Sequence, residues 1–193
     1  MSEIVVQKFG GTSVGTVDRI DSVAEIIKNA SKSNKIVVVV SAMGGETNRL
    51  VDLAKAFGDD PDKREFDALV STGETVSSAL LTMALHSKGV KAKSFSASQI
   101  SMRTTSSYSK AKILDVDAKK ILDVVENDTI PIITGFQGVT EGGDVTTLGR
   151  GGSDTTAVAI AAQIAATRCD IFTDVDGIFT CLLYTSDAAD EGV

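Results

Sequence analysis

The segment Lys35-Ile-Val-Val-Val-Val40 restricts the possible folds of this chain more than any other. An unbroken β-branched run of this kind suits a strand covered on both faces of a sheet. Glu3 to Lys8 has similar character, with Ile4, Val5 and Val6 as its apolar centre. Between the two, Val17 to Ala30 sets Val17, Ile20, Val23, Ala24 and Ile27 at a helical period. Thr47 to Phe57 reads as a second helix, with Leu50, Leu53, Ala54 and Phe57 on one side. Lys63 to Ser87 is a long helical stretch that Thr72-Gly73 interrupts near Ser71 to Glu74. Ala92 to Ser96 is a short strand, and the Ser- and Thr-rich Ser98 to Ser109 reads as a loop or mobile segment. Asp117 to Asn127 is helical, Ile130 to Thr134 is a strand ending at Gly135, and Ser153 to Ala166 is an Ala-rich helix. Asp170 to Thr173 begins a further strand. Strands joined by crossover helices predict an α/β fold with a parallel sheet flanked on both faces, its ligands at the strands' C-terminal ends.

A chain of 193 residues suffices for one domain with a substantial core, and neither an internal repeat nor a linker interrupts it. With 42% hydrophobic and 23% charged residues, the composition is that of a soluble globular chain. The net charge of −7 argues against general nucleic-acid affinity. A local anion site stays open, because backbone N–H groups can build one. The start, MSEIVVQKFGG, shows no basic leader followed by a long apolar stretch, so no signal peptide is expected. The apolar runs are too short to cross a bilayer. Cys169 and Cys181 form neither a metal-ligand pattern nor a disulfide framework, and a cytoplasmic location with reduced thiols is expected. His86, in a helical pattern, reads as a surface or packing residue. Beyond Phe179 the pattern fails. Cys181 to Val193 fits neither a strand nor an amphipathic helix, so a truncated chain with a foreign C-terminus is expected.

Five segments follow or interrupt these elements with residues suited to ligand chemistry. Lys8-Phe-Gly10-Gly11-Thr-Ser follows the first strand. Its glycines let the backbone approach a ligand, the next helix offers open N–H groups, and Lys8 adds a full positive charge. It is neither a Walker A loop nor a GxGxxG fingerprint, and a tight turn capped by Thr12 or Ser13 explains it locally as well. Ser41 to Thr47 follows the second strand, where it either completes the same site or is an ordinary loop with Thr47 as N-cap. Ser71-Thr-Gly-Glu74 carries an acid that needs a partner if buried, such as a ligand ammonium, though a solvated glutamate is the commoner case. Thr146 to Asp154 surrounds Arg150, whose planar fork suits a carboxylate or phosphate, with three glycines. That density of Gly, Arg, Ser and Asp favours function, with Asp154 as a helix cap or facing the site. Thr173-Asp-Val-Asp-Gly177 either meets a ribose or is a simple turn.

Together the segments resemble the amino-acid kinase family, and within it the aspartate kinases (aspartokinases). The likeness runs through residues 4–180 and is strongest at KFGGTSV (Lys8 to Val14), STGE (Ser71 to Glu74) and TTLGRGGSD (Thr146 to Asp154). It implies a three-layer αβα sandwich around a mostly parallel sheet. The reaction it implies moves the γ-phosphoryl group of MgATP to the β-carboxylate of L-aspartate, the first step toward lysine, threonine and methionine. On this resemblance Lys8 and Asp154 are catalytic, and Lys8, Gly10, Gly11, Thr173 and Asp174 contact the nucleotide. Ser41, Thr47, Glu74, Arg150, Gly151, Gly152 and Ser153 hold the substrate, with Glu74 on its α-ammonium and Arg150 on its α-carboxylate. Mg²⁺ is expected to ride on the phosphates, no protein metal site being visible. Partners implied are the two small substrates, with no nucleic acid or membrane, and a homo-oligomer or regulatory subunit in the full-length protein.

After TDVDGIFT the family continues with an Asp-Pro-Arg stretch, whereas Cys181-Leu182-Leu183 stands here. The chain therefore divides into the first part of a kinase domain (1–180) and an atypical tail (181–193). On this reading the sandwich is incomplete at its C-terminal end, and the regulatory ACT domains are missing. Two other readings stand beside it: an inactive fragment that binds nucleotide or amino acid, and an amino-acid kinase of other specificity.

Overall fold

A computed structural model describes residues 3–173. The first half runs β1 (Ile4–Phe9), α1 (Val17–Ala30), β2 (Lys35–Val40), α2 (Glu46–Lys55), α3 (Lys63–Val70), α4 (Thr72–Ser87) and β3 (Ala92–Phe95). Then follow β4 (Arg103–Thr104), β5 (Ile113–Asp115), α5 (Ala118–Glu126), β6 (Ile130–Thr134), β7 (Gln137–Val139), β8 (Val145–Thr147), α6 (Gly152–Gln163) and β9 (Arg168–Phe172). Five strands form the central sheet in the order β3-β6-β2-β1-β9, and every neighbouring pair is parallel.

The β-branched run at β2 lies in the middle of that sheet, and its period of two divides the core. Ile36, Val38 and Val40 pack with Ile20, Val23 and Ile27 of α1 and with Leu81 and Leu85 of α4. Val37 and Val39 point the other way, toward Ile121 and Val125 of α5 and Ala157 and Ile160 of α6. Both faces are covered, which is why the run needs no polar residue. The three-layer α/β fold expected from the sequence is the one observed.

Element boundaries moved by a few residues, with physical causes. The helix expected from Thr47 starts at Glu46, with Gly45 at its N-cap in a left-handed conformation, so Thr47 is not the cap. It ends at Lys55 and buries only Leu50 and Ala54, leaving Leu53 and Phe57 exposed. Val17, also expected on a buried face, opens α1 and faces solvent. The interruption at Ser71 is real: α3 and α4 are separate helices meeting there. Taken whole, Lys63–Ser87 has the length and hydropathy of a membrane span, but half of its most apolar window is buried inside the fold.

The larger difference is a second sheet, ordered β5-β4-β7-β8, in segments where no strand was expected. Ser98 to Ser109, expected to be a loop or mobile segment, contains β4, and nearby Ala97, Ile100 and Met102 are buried in the core. Strands of two or three residues have no period to detect. Their ties include hydroxyl groups, such as the 2.6 Å bond between Thr104 Oγ1 and Thr146 Oγ1. His86 is a surface residue, one of the two readings expected, its Nε2–H donating to Ala92 O at 2.8 Å. The expectations for Asp174 and for residues 181–193 lie outside the described residues.

Candidate active site

The carboxyl ends of β1, β2 and β6 open into a cavity of about 470 Å³. Alternation along β1 turns Lys8, like Val6, toward α6, where the side chain is 9% exposed. Its Nζ stands 2.7 Å from Asp154 Oδ1 in the first turn of α6. The exit of β1 is pinned by a 3.2 Å bond from Gly10 N to Phe172 O. The Phe9 and Phe172 rings stack beside it, with centroids 4.6 Å apart.

A second wall follows β2 and meets α4. Glu74 is 3% exposed, and its Oε1 accepts from Ala42 N at 3.1 Å. Its Oε2 is buried and has no hydrogen-bond partner among the described residues. Burial pushes the carboxyl up to about 7, against the opposing pull of its own backbone N–H and that of Ala42. The glutamate is therefore not the solvated residue that is commonest in helices. Gly73 makes this approach possible, because a Cβ there would fall 2.8 Å from Ala42 Cβ.

The third wall is the turn from Gly149 into α6. Gly149 and Gly151 adopt φ of +81° and +68°, in the left-handed region that favours glycine. Gly151 caps α6 and Gly45 caps α2 without any side-chain hydrogen bond. Two helix N-termini thus carry partial positive charge beside the same cavity as Lys8. The cavity thus has positive charge on one side and a buried, unsatisfied acceptor on the other.

The model of the amino acid kinase family matches residues 3–182. The chain belongs to the amino acid kinase family. An aspartate kinase of Stutzerimonas stutzeri is 54% identical over 178 residues, spanning 92% of this chain and 43% of its own length. An aspartokinase of Geobacillus stearothermophilus is also 54% identical, with 44% of its length matched. The chain thus spans less than half of these relatives. Among solved structures, E. coli aspartokinase III in complex with aspartate and ADP superposes with a TM-score of 0.83 at 31% identity. That match covers 92% of this chain and 51% of the E. coli chain.

In this amino acid kinase chain, most of the residues singled out in the sequence line one cavity. Lys8, Gly10, Gly11, Ser41, Thr47, Glu74, Gly151, Gly152, Ser153, Asp154 and Thr173 all do so. Asp154 faces Lys8 and does not act as a cap. Arg150 is different. It stands exposed between two cavity-lining glycines and makes no hydrogen bond or ion pair among the described residues. Phe136 was missed: it lines the cavity from the turn after β6, in a left-handed conformation with φ of +66°. Its place directly after Gly135, at the C-terminal end of a strand read from the sequence, was the available signal, but an aromatic side chain carries no ligand chemistry to mark it. Also missed were two buried polar anchors, Asp67 and Gln137. Among the described residues no group of three or more His, Cys, Asp or Glu could hold a metal ion.

Proposed function

We propose that this protein transfers the γ-phosphoryl group of ATP to the β-carboxylate of L-aspartate, giving 4-phospho-L-aspartate. The observation that carries the reading is the opposition within one cavity of the Lys8–Asp154 pair and the buried, unpartnered Glu74 Oε2. The first suits a polyphosphate, the second the ammonium of an amino acid. The aspartate and ADP bound in the E. coli relative support the same pairing of ligands.

In this reading Lys8 follows the charge of the transferring phosphoryl group, and the N–H groups of Gly10 and Gly11 hold the phosphates. Asp154 keeps Lys8 in place. Glu74 takes the α-ammonium, Arg150 closes on the α-carboxylate, and Ser41, Thr47, Gly151, Gly152 and Ser153 complete the acceptor pocket. Thr173 and Asp174 contact the nucleoside. A carboxylate is a nucleophile at neutral pH, so the protein's task is to bring two anions together and offset their repulsion. Mg²⁺, which adds positive charge across the phosphates, fits here as an ion carried by ATP. The cavity offers two carboxylates, Asp154 paired with Lys8 and Glu74 assigned to the ammonium, fewer oxygens than an all-protein site needs. The reaction belongs in the cytoplasm, at the head of lysine, threonine and methionine synthesis, in an oligomer or with a regulatory subunit.

The test is ADP formation by the full-length protein with aspartate, glutamate or N-acetylglutamate as acceptor. Aspartate-dependent turnover is expected, and Arg150→Ala should raise the KM for aspartate about tenfold or more with the KM for ATP within about twofold. Turnover that ignores aspartate, or prefers glutamate, overturns the reading.

A further inference from the structure

We propose that Asp67 is a positioning residue for the turn Gly149–Ser153, acting through Ser109 and Thr147; the claim rests on that turn holding the acceptor amino acid. Asp67 lies on α3, is fully buried, and has no cation within ion-pair distance among the described residues. Its carboxyl group instead accepts four hydrogen bonds. Oδ2 takes the backbone N–H groups of Ser109 and Thr147, each at 2.8 Å. Oδ1 takes the hydroxyls of the same two residues, at 3.0 and 2.9 Å. These fill the four acceptor sites a carboxylate offers.

A buried acid on a helix is costly, and an apolar residue would fill the space with less penalty. Here all of its bonds converge on the approach to one turn. Thr147 is the last residue of β8 and lies two positions before Gly149. Ser109 reaches the turn from the other side: its carbonyl oxygen would be 3.3 Å from a Cβ built on Gly149. Ser109 has φ of +63°, a conformation that a non-glycine residue keeps only when its surroundings hold it. Ala111 N donates to Thr147 O at 2.9 Å, joining the two segments directly.

The same residue reaches the opposite wall of the cavity. Asp67 O accepts from Ser71 N at 3.1 Å, at the junction from which α4 carries Glu74. That backbone bond closes α3, so the carboxyl of Asp67 ties the turn with Arg150 to the helix that leads directly into the wall with Glu74. The distance between the groups assigned to the ammonium and the carboxylate of a single amino acid is set through Asp67.

The experiment compares Asp67→Ala, Asp67→Asn and Ser109→Ala in the full-length protein, by steady-state kinetics and by amide hydrogen exchange of residues 147–153. Asp67→Ala should raise the KM for the acceptor about tenfold or more, leave that for ATP within about twofold, and speed exchange across the turn. Asp67→Asn should stay within about threefold on every measure. Its oxygen still accepts from the two N–H groups, and its NH₂ can donate to the two hydroxyls. Ser109→Ala removes one of the four bonds and should give a smaller change of the same kind, which keeps the test alive if Asp67→Ala does not fold. Equal losses on ATP and acceptor, a lower melting temperature with unchanged KM and exchange, or an Asn variant as damaged as the Ala one would each overturn the proposal. If the wild type does not phosphorylate aspartate, the proposed function fails by itself. Exchange at 147–153 then still decides whether Asp67 positions the turn.

Discussion

Glu74 is buried where ionisation is costly and yet faces a cavity in which a charged amine would need its negative charge. With its carboxyl raised to about 7, the unliganded protein prefers the protonated form below that pH. An unfolded glutamate ionises near 4.5, so the folded state binds more protons in the interval between. Stability should therefore fall as pH rises from about 4.5 to 7 and stay lower above it. Glu74→Gln should stabilise the free protein by up to about 3 kcal/mol at pH 8, measured by denaturant unfolding. No gain there would mean that the carboxyl is better solvated than its burial implies. Binding has the opposite sign. Acceptor affinity should weaken about tenfold per pH unit below 7, with proton release visible by calorimetry in buffers of different ionisation enthalpy. A flat profile from pH 5.5 to 8 would remove Glu74 from the ammonium. Lys8→Ala should cut turnover at least about a hundredfold while the KM for aspartate changes little, since its charge serves the phosphoryl group. Unchanged turnover would contradict that role.

Among elements, the α3–α4 junction does the most to shape the cavity. Gln137 holds it: Nε2 donates to Ser71 O at 2.6 Å and to Thr75 Oγ1 at 3.2 Å. Its Oε1 accepts from Thr134 Oγ1 and Ala97 N. Gly73 then lets the first turn of α4 close on Ala42. Substituting Ala at Gly73 gains about 1 kcal/mol of helix propensity. It also forces two carbons to 2.8 Å and displaces the Ala42–Glu74 bond, and overpacking of this kind costs about 1–3 kcal/mol. A net loss of stability is expected, read as a lower denaturation midpoint; a higher midpoint would show that α4 has room to move. The interruption was legible because Thr-Gly breaks an apolar helical pattern. Its anchors were not, since Gln137 is 66 residues from Ser71 and Asp67 reads as an ordinary polar position on a helix.

At the scale of the molecule, the hydrogen-bonded order of the strands sets local stability. β2 has parallel neighbours on both sides and buried side chains on both faces, whereas β9 is an edge strand among the described ones. Amides of β2 should exchange slowest and those of the short strands of the second sheet much faster. Uniform protection across both sheets would argue against this gradient. The sequence by itself determined the parallel sheet, its covering helices and the loops that hold most of the site. Those properties follow from local periodicity and from glycines placed after strands. Only the tertiary structure decided that Glu74 is buried and lacks a partner for Oε2, that Phe136 reaches the cavity and that Asp67 ties its two walls together. Each depends on residues far apart in the chain meeting in space, and hydrogen bonds of that range leave no period in the sequence.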